Sequence, residues 1–167
     1  MENRYSKILI AVDGSRQAEW AFLNAVSIAK RNDDAKLYIA SVIDATIATS
    51  GLSDPYIFNS FYKKTKRLVD SYVEVAKKEG LHNVVGLVEQ GVPKIVLSED
   101  IVDDKDIDLV VCGSSGLTGF KRMLMGSVSE GIVRYAKCNV MIVKEKSIPK
   151  DFEPKIALQF QEADDEE

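Results

Sequence analysis

The strongest constraint in this chain is an alternation. Five short apolar runs are separated by connections long enough to hold a helix. They are Lys7-Ile8-Leu9-Ile10-Ala11-Val12, Leu37-Tyr38-Ile39-Ala40-Ser41-Val42-Ile43, Val84-Val85-Gly86-Leu87-Val88, Asp108-Leu109-Val110-Val111-Cys112 and Asn139-Val140-Met141-Ile142-Val143. They show almost no polar alternation, as expected of strands buried on both faces. Strands of this kind joined by helices demand a parallel sheet covered on both sides, with right-handed crossovers. The expected architecture is one doubly wound α/β domain in the order β-α-β-α-β-α-β-α-β.

Helix signals fill the connections. Between Arg16 and Arg31 apolar residues fall at 18, 21, 22, 25, 28 and 29, a single stripe, with Ser15 at the N-cap position. Asp54-Pro55 opens a long helix to about Glu79, stopped by Gly80. Gly91-Val92-Pro93 leads into a helix through about Asp103, and a further helix is expected from about Val128 to Lys137. The small, polar residues between the second strand and Ser53 read as a mobile loop. Residues 1–146 are assigned to the domain. Residues 147–167, which follow neither period, are assigned to a flexible acidic tail.

Charge and cysteine usage narrow the function classes. The formal charge is 22 − 26 = −4, but residues 151–167 hold seven acids and one base, leaving 21 bases and 19 acids before them. A nearly neutral body with an acidic tail argues against nucleic-acid binding, which needs a basic face. No apolar run approaches the roughly 20 residues needed to cross a bilayer, and the start does not read as a signal peptide. Cys112 and Cys138 form no C-x-x-C pair, which fits a reducing, cytoplasmic compartment. The single histidine, His82, removes most histidine-based metal sites and weakens any histidine-based triad.

The informative stretch is Gly113-Ser114-Ser115-Gly116-Leu117-Thr118-Gly119-Phe120-Lys121-Arg122-Met123-Leu124-Met125-Gly126-Ser127-Val128, placed between a strand and a helix. Glycines let backbone amides approach an anion with no Cβ in the way. A following helix N-terminus adds free donors and a partial positive charge. Ser115, Thr118 and Ser127 add hydroxyls. The stretch is neither a Walker A loop nor G-x-G-x-x-G. From the residues alone two readings stand: a phosphate cradle, or a plain strand-to-helix loop closed by a Ser127-x-x-Glu130 capping box. The Glu130 carboxylate would compete with a phosphate for the same amides unless it turns away.

The spacing Gly113-x2-Gly116-x9-Gly126-Ser127 resembles G-x2-G-x9-G-[ST], the ATP loop of universal stress proteins. The flanking Leu109-Val110-Val111-Cys112 and Cys138-Asn139-Val140-Met141-Ile142-Val143 agree with that family, as do Ile8-Leu9-Ile10-Ala11-Val12-Asp13-Gly14-Ser15 and Ser41-Val42-Ile43-Asp44. The resemblance covers about residues 5–144. It implies a five-stranded sheet in the order 3-2-1-4-5, which sets strands one and four side by side. It also implies an ATP site in which Ala11, Asp13 and Val42 lie around adenine and ribose, Val42 mainly through its backbone. Gly113, Ser115, Gly116, Leu117, Thr118, Gly119, Gly126, Ser127 and Val128 then form the ribose–phosphate loop. Mg²⁺ or Mn²⁺ bridging the phosphates is implied, and so is a homodimer paired through Val140, Met141, Ile142 and Val143. The implied function is an ATP-dependent sensor or regulatory module in stress response with an unidentified protein partner.

Two departures accompany this: the tail from about Ser147 lies beyond the shared pattern, and Ala11 stands at a variable position. No convincing base for hydrolysis is found, so at most slow ATPase or self-phosphorylation is expected. The alternative is a scaffold of the same fold that binds no nucleotide and works through the dimer edge and the acidic tail. A response regulator is excluded because Glu89 stands where a phosphoacceptor aspartate would be required. Lys121 and Arg122 read as solvated, Cys112 as core, His82 as an exposed loop residue, and Asp103, Asp104, Asp106 and Asp108 as a solvated turn.

Overall fold

The computed structural model describes residues 4–46, 54–115 and 125–156. The five apolar runs form strands β1 (Lys7–Ala11), β2 (Lys36–Asp44), β3 (Val84–Gly91), β4 (Leu109–Gly113) and β5 (Asn139–Val143). All neighbours are parallel, in the order β3-β2-β1-β4-β5. β3 runs three residues beyond the apolar run, because Glu89, Gln90 and Gly91 pair with Val42, Ile43 and Asp44.

Helix α1 (Arg16–Arg31) begins where Ser15 Oγ accepts a hydrogen bond from Ala18 N at 3.1 Å, as the N-cap position predicts. Helix α2 (Pro55–Lys78) begins at Asp54, whose carboxylate accepts from Tyr56 N. These two helices cover one face, over Ile8, Ile10, Val12, Leu37, Ile39, Leu109 and Val111, with Phe22 and Tyr72 edge to face at 4.9 Å. The other face carries Leu9, Tyr38, Ala40, Val110 and Cys112.

Helix α3 on that second face is irregular: Pro93–Ile95 passes through a π-helical turn, Val96–Asp100, into Ile101–Lys105, and Asp106 ends it with φ +51°. Helix α4 is Ser127–Tyr135, shorter than the expected 128–137 at its C-terminal end because Ala136 leaves the helical region. Of the four aspartates expected in a solvated turn, Asp103 and Asp104 lie instead in the last turn of α3, and Asp106 and Asp108 follow it. Asp103 meets Lys137, Asp104 meets Lys105, and Asp108 accepts from Ser6 N and Oγ at 2.8 Å. Among the described residues no group of three His, Cys, Asp or Glu could hold a metal ion, and no helix is long and apolar enough to cross a membrane. The loop expected to be mobile lies mostly outside the described residues.

Beyond β5 the chain makes a 3-10 turn (Glu145–Ser147) and then crosses α1. Arg16 donates from Nε to Phe152 O at 3.1 Å and from a terminal nitrogen to Pro149 O at 2.8 Å. Phe152 packs edge-on against Trp20 at 4.8 Å. The carboxylate of Glu19, 3% exposed, accepts from Lys155 N at 2.6 Å and Ile156 N at 3.1 Å. Ile148 and Ile156 are buried, so residues 148–156 are fastened to the body although they lie in the segment read as tail.

Candidate functional site

Strand order places the candidate site. The chain winds one way from β1 to β2 and the other way to β4, so the carboxyl ends of β1 and β4 flank the switch point where doubly wound sheets open a crevice. Register confirms the neighbourhood: Ile10 of β1 is level with Val111 of β4.

β1 leaves the sheet through Val12 and turns at Gly14, whose φ of +82° suits glycine. Asp13 makes that turn, its Oδ1 accepting from Ser15 N at 2.9 Å. β4 leaves through Gly113. A Cβ there would stand 3.1 Å from Gln17 Cβ and 3.3 Å from Ser115 O, so the first turn of α1 comes this close only because the side chain is missing.

The far end of the glycine-rich segment returns to the same place. Ser114 O accepts from Gly126 N at 2.7 Å and from Ser129 Oγ at 2.8 Å. The two ends of the loop are thereby pinned together beside the tip of β1. Helix α4 then starts with Gly126, not Ser127, at the N-cap, and no side chain among the described residues caps it. This overturns the capping-box reading: Ser127 is already the first helical residue, and Glu130 turns to Arg134 at 3.1 Å. The amides of Ser127, Val128 and Ser129 have no intrahelical acceptor, and no carboxylate of their own helix competes for them.

The third wall comes from β2. Ala40 O accepts from Val12 N at 2.9 Å, whereas Leu37 N and Ala45 N donate toward β3, to Asn83 O and Gly91 O. In a parallel ladder this alternation directs the backbone groups of even-numbered β2 residues to the β1 side. Val42 is the next even residue after β1 has turned away, so its N–H and C=O face the crevice. Ala11, Val42 and Val128 are partly buried against the same core cluster, on one side of the sheet.

Of the residues nominated from sequence, Ala11, Asp13, Val42, Gly113, Ser115, Gly126, Ser127 and Val128 stand at the strand tips or the start of α4. Gly116, Leu117, Thr118 and Gly119 lie outside the described residues, as do Lys121 and Arg122. Ser114 and Ser129, the pins, were not nominated. Both are buried serines acting through one carbonyl and one hydroxyl, and no spacing rule distinguishes them from other serines. A cleft of about 590 Å³ lies elsewhere, at the amino ends of β4 and β5 between Tyr5, Arg31 and Met141.

Two titratable groups nearby stay neutral. Burial pushes the Cys112 thiol up to about 12, leaving it a small core residue. The Tyr72 hydroxyl is buried with no hydrogen-bond partner among the described residues. Desolvation first, then the charges of Glu19 and Asp13, hold it far above the ordinary tyrosine range.

Comparison with known proteins agrees with the geometry. The model of the universal stress protein family matches residues 4–144. A Staphylococcus haemolyticus chain named for that family is 44% identical over 154 residues, 92% of this chain and 93% of its own length. Among solved structures, the universal stress protein UspA from Lactobacillus plantarum is 28% identical with a TM-score of 0.76, covering 85% of this chain and 99% of that one. A universal stress protein crystallised in complex with cAMP is 26% identical with a TM-score of 0.62, covering 85% and 98%. Sheet order, the glycine spacing and these matches together establish that the chain belongs to the universal stress protein family.

Proposed function

We propose that this chain binds ATP in the crevice between the tips of β1 and β4 and acts as a nucleotide-dependent regulatory module in stress response. One observation carries the reading: both ends of the glycine-rich loop are pinned on Ser114, with the uncapped start of α4 beside them. Open amides at a helix start suit phosphate oxygens. In this reading Ala11 and the backbone of Val42 line the adenine side, and Oδ2 of Asp13 takes a ribose hydroxyl while Oδ1 keeps the turn. Gly113, Ser115, Gly126, Ser127 and Val128 then take the phosphates together with Gly116, Leu117, Thr118 and Gly119. Mg²⁺ or Mn²⁺ enters with the phosphates, and no protein ligand is assigned to it.

The reading is one of binding, without turnover. Glu130 is engaged with Arg134, and Asp13 is engaged with its own turn. Ordering of the crevice loops by ATP would shift the surface shown to a protein partner, driven by the higher affinity of the ordered state. The edge position of β5 supports a homodimer through Val140, Met141, Ile142 and Val143, since an uncovered edge strand invites pairing. The solved relative with cAMP favours cAMP as the second ligand to test. Calorimetric titration with ATP and with cAMP decides between them: ATP is expected to bind more tightly, and no heat with either ligand would leave only a scaffold.

A further inference from the structure

At the amino ends of β4 and β5, opposite the crevice, the cleft of about 590 Å³ lies between the end of α1 and the face of β5. That volume is in the range that holds a small organic ligand. Its apolar part is graded: Leu109 is buried, Ile28 and Val140 are half-buried, and Met141 is 36% exposed. The walls are fastened to one another. Asn32 Oδ1 accepts from Tyr5 N at 2.9 Å while its Nδ2 donates to Ile28 O at 2.8 Å, tying the segment before β1 to the end of α1. Asn139 Nδ2 donates to the Tyr5 hydroxyl at 3.2 Å, which leaves that hydroxyl its own proton to donate. Arg31 lines the same cleft, exposed, with no ion pair or hydrogen bond among the described residues. A cation in the last turn of α1 suits the helix end by itself, so the site rests on the whole set of groups.

We propose that this cleft is a second ligand site, separate from the crevice, and that it takes small aromatic carboxylates. The Arg31 guanidinium forks onto the carboxylate, the Tyr5 hydroxyl donates to it, and the ring lies on Leu109, Ile28 and Met141. Three observations select that chemistry. Arg31 and the Tyr5 hydroxyl offer donors, and no acidic residue lines the cleft to compete for them. The apolar part is a strip of sheet face, since Leu109 of β4 is level with Asn139 of β5 and Met141 follows two residues on. A thioether on that strip suits the edge of an aromatic ring. An inorganic anion would leave the strip uncovered, and a neutral ring would leave Arg31 unused. Pairing of two copies along the β5 edge engages backbone groups in the plane of the sheet and does not by itself cover this face.

Methyl-resolved NMR of the full chain tests this, with naphthoate as the probe and naphthalenemethanol as its uncharged counterpart. The Met141 and Ile28 methyl signals are expected to shift, and naphthoate to bind about tenfold more tightly than the alcohol. Arg31→Gln, at an exposed position outside the core, should bring that ratio below about twofold. Tyr5→Phe should weaken naphthoate about threefold. Lys30→Gln, on the neighbouring exposed cation that does not line the cleft, should leave the ratio unchanged. Equal affinities for the two probes in the unaltered chain overturn the proposal, as does a ratio that survives Arg31→Gln or the absence of any shift at millimolar probe. Shifts confined to Val42 and Val128 would put the probe in the crevice and overturn it too. So would a Met141 shift that follows protein concentration and not the probe, the mark of a second copy on this face.

Discussion

The crevice and the crossing over α1 are built from opposite materials. At the crevice the groups on offer are backbone amides and carbonyls, and side chains are missing where the chain needs it: Gly14 in its turn and Gly113 against Gln17. Over α1 the working groups are side chains. A buried carboxylate, a guanidinium and two aromatic rings hold residues 149–156. The first arrangement leaves the donors of a helix start open; the second engages the amides of Phe152, Lys155 and Ile156. In the proposed reading the crevice differs from the crossing by the backbone donors that the start of α4 leaves open.

That contrast can be broken by substitution. The largest effect on stability is expected from Glu19→Ala, which leaves the buried amide of Ile156 and the part-buried amide of Lys155 without their acceptor. Urea unfolding should show a loss of about 3 kcal/mol, with ATP affinity unchanged within about twofold if the crossing and the crevice are separate devices.

Alkaline titration comes next. The Cys112 thiol is raised from its ordinary 9.0 to about 12, so its contribution is fully present below pH 9 and is lost as pH rises toward 12. Stability should fall above pH 9 with a slope of about 1.4 kcal/mol per pH unit from this group. Cys112→Ala should reduce that slope, and an unchanged slope would contradict the assignment. Phe152→Ala should cost about 1.5 kcal/mol through the Trp20 contact and shift Trp20 fluorescence, again sparing the crevice. The smallest effect on stability, about 1 kcal/mol, is expected for Ser129→Ala. That variant should reverse the pattern, weakening ATP binding several-fold because one of the two pins on Ser114 is gone. Equal losses of binding from Ser129→Ala and Phe152→Ala would erase the distinction between the two regions.

The same contrast explains what could be read from the sequence. Strands and α1 were legible because burial on two faces leaves uninterrupted apolar runs and burial on one face leaves a stripe, both local patterns. The glycine spacing was legible because missing side chains are visible in sequence. The cap of α4 was not. Ser127-x-x-Glu130 satisfies a local rule, but Gly126 takes the cap because its amide is drawn to Ser114 O, and Glu130 finds Arg134 instead. The π-helical turn at Val96–Asp100 left no signal either. Least legible was the crossing over α1. Pro149, Phe152 and Ile156 have no period of their own and find partners more than 130 residues away, at Arg16 and Glu19.

The central claim is that amides freed by missing side chains between two strand tips bind a triphosphate. Calorimetric titration of the unaltered chain and of Gly116→Asp with ATP and Mg²⁺ tests it most directly. The account predicts measurable binding by the unaltered chain and affinity at least about a hundredfold lower in the variant, a difference of nearly 3 kcal/mol, since a carboxylate would stand where phosphate belongs. Equal heats from the two proteins would contradict it.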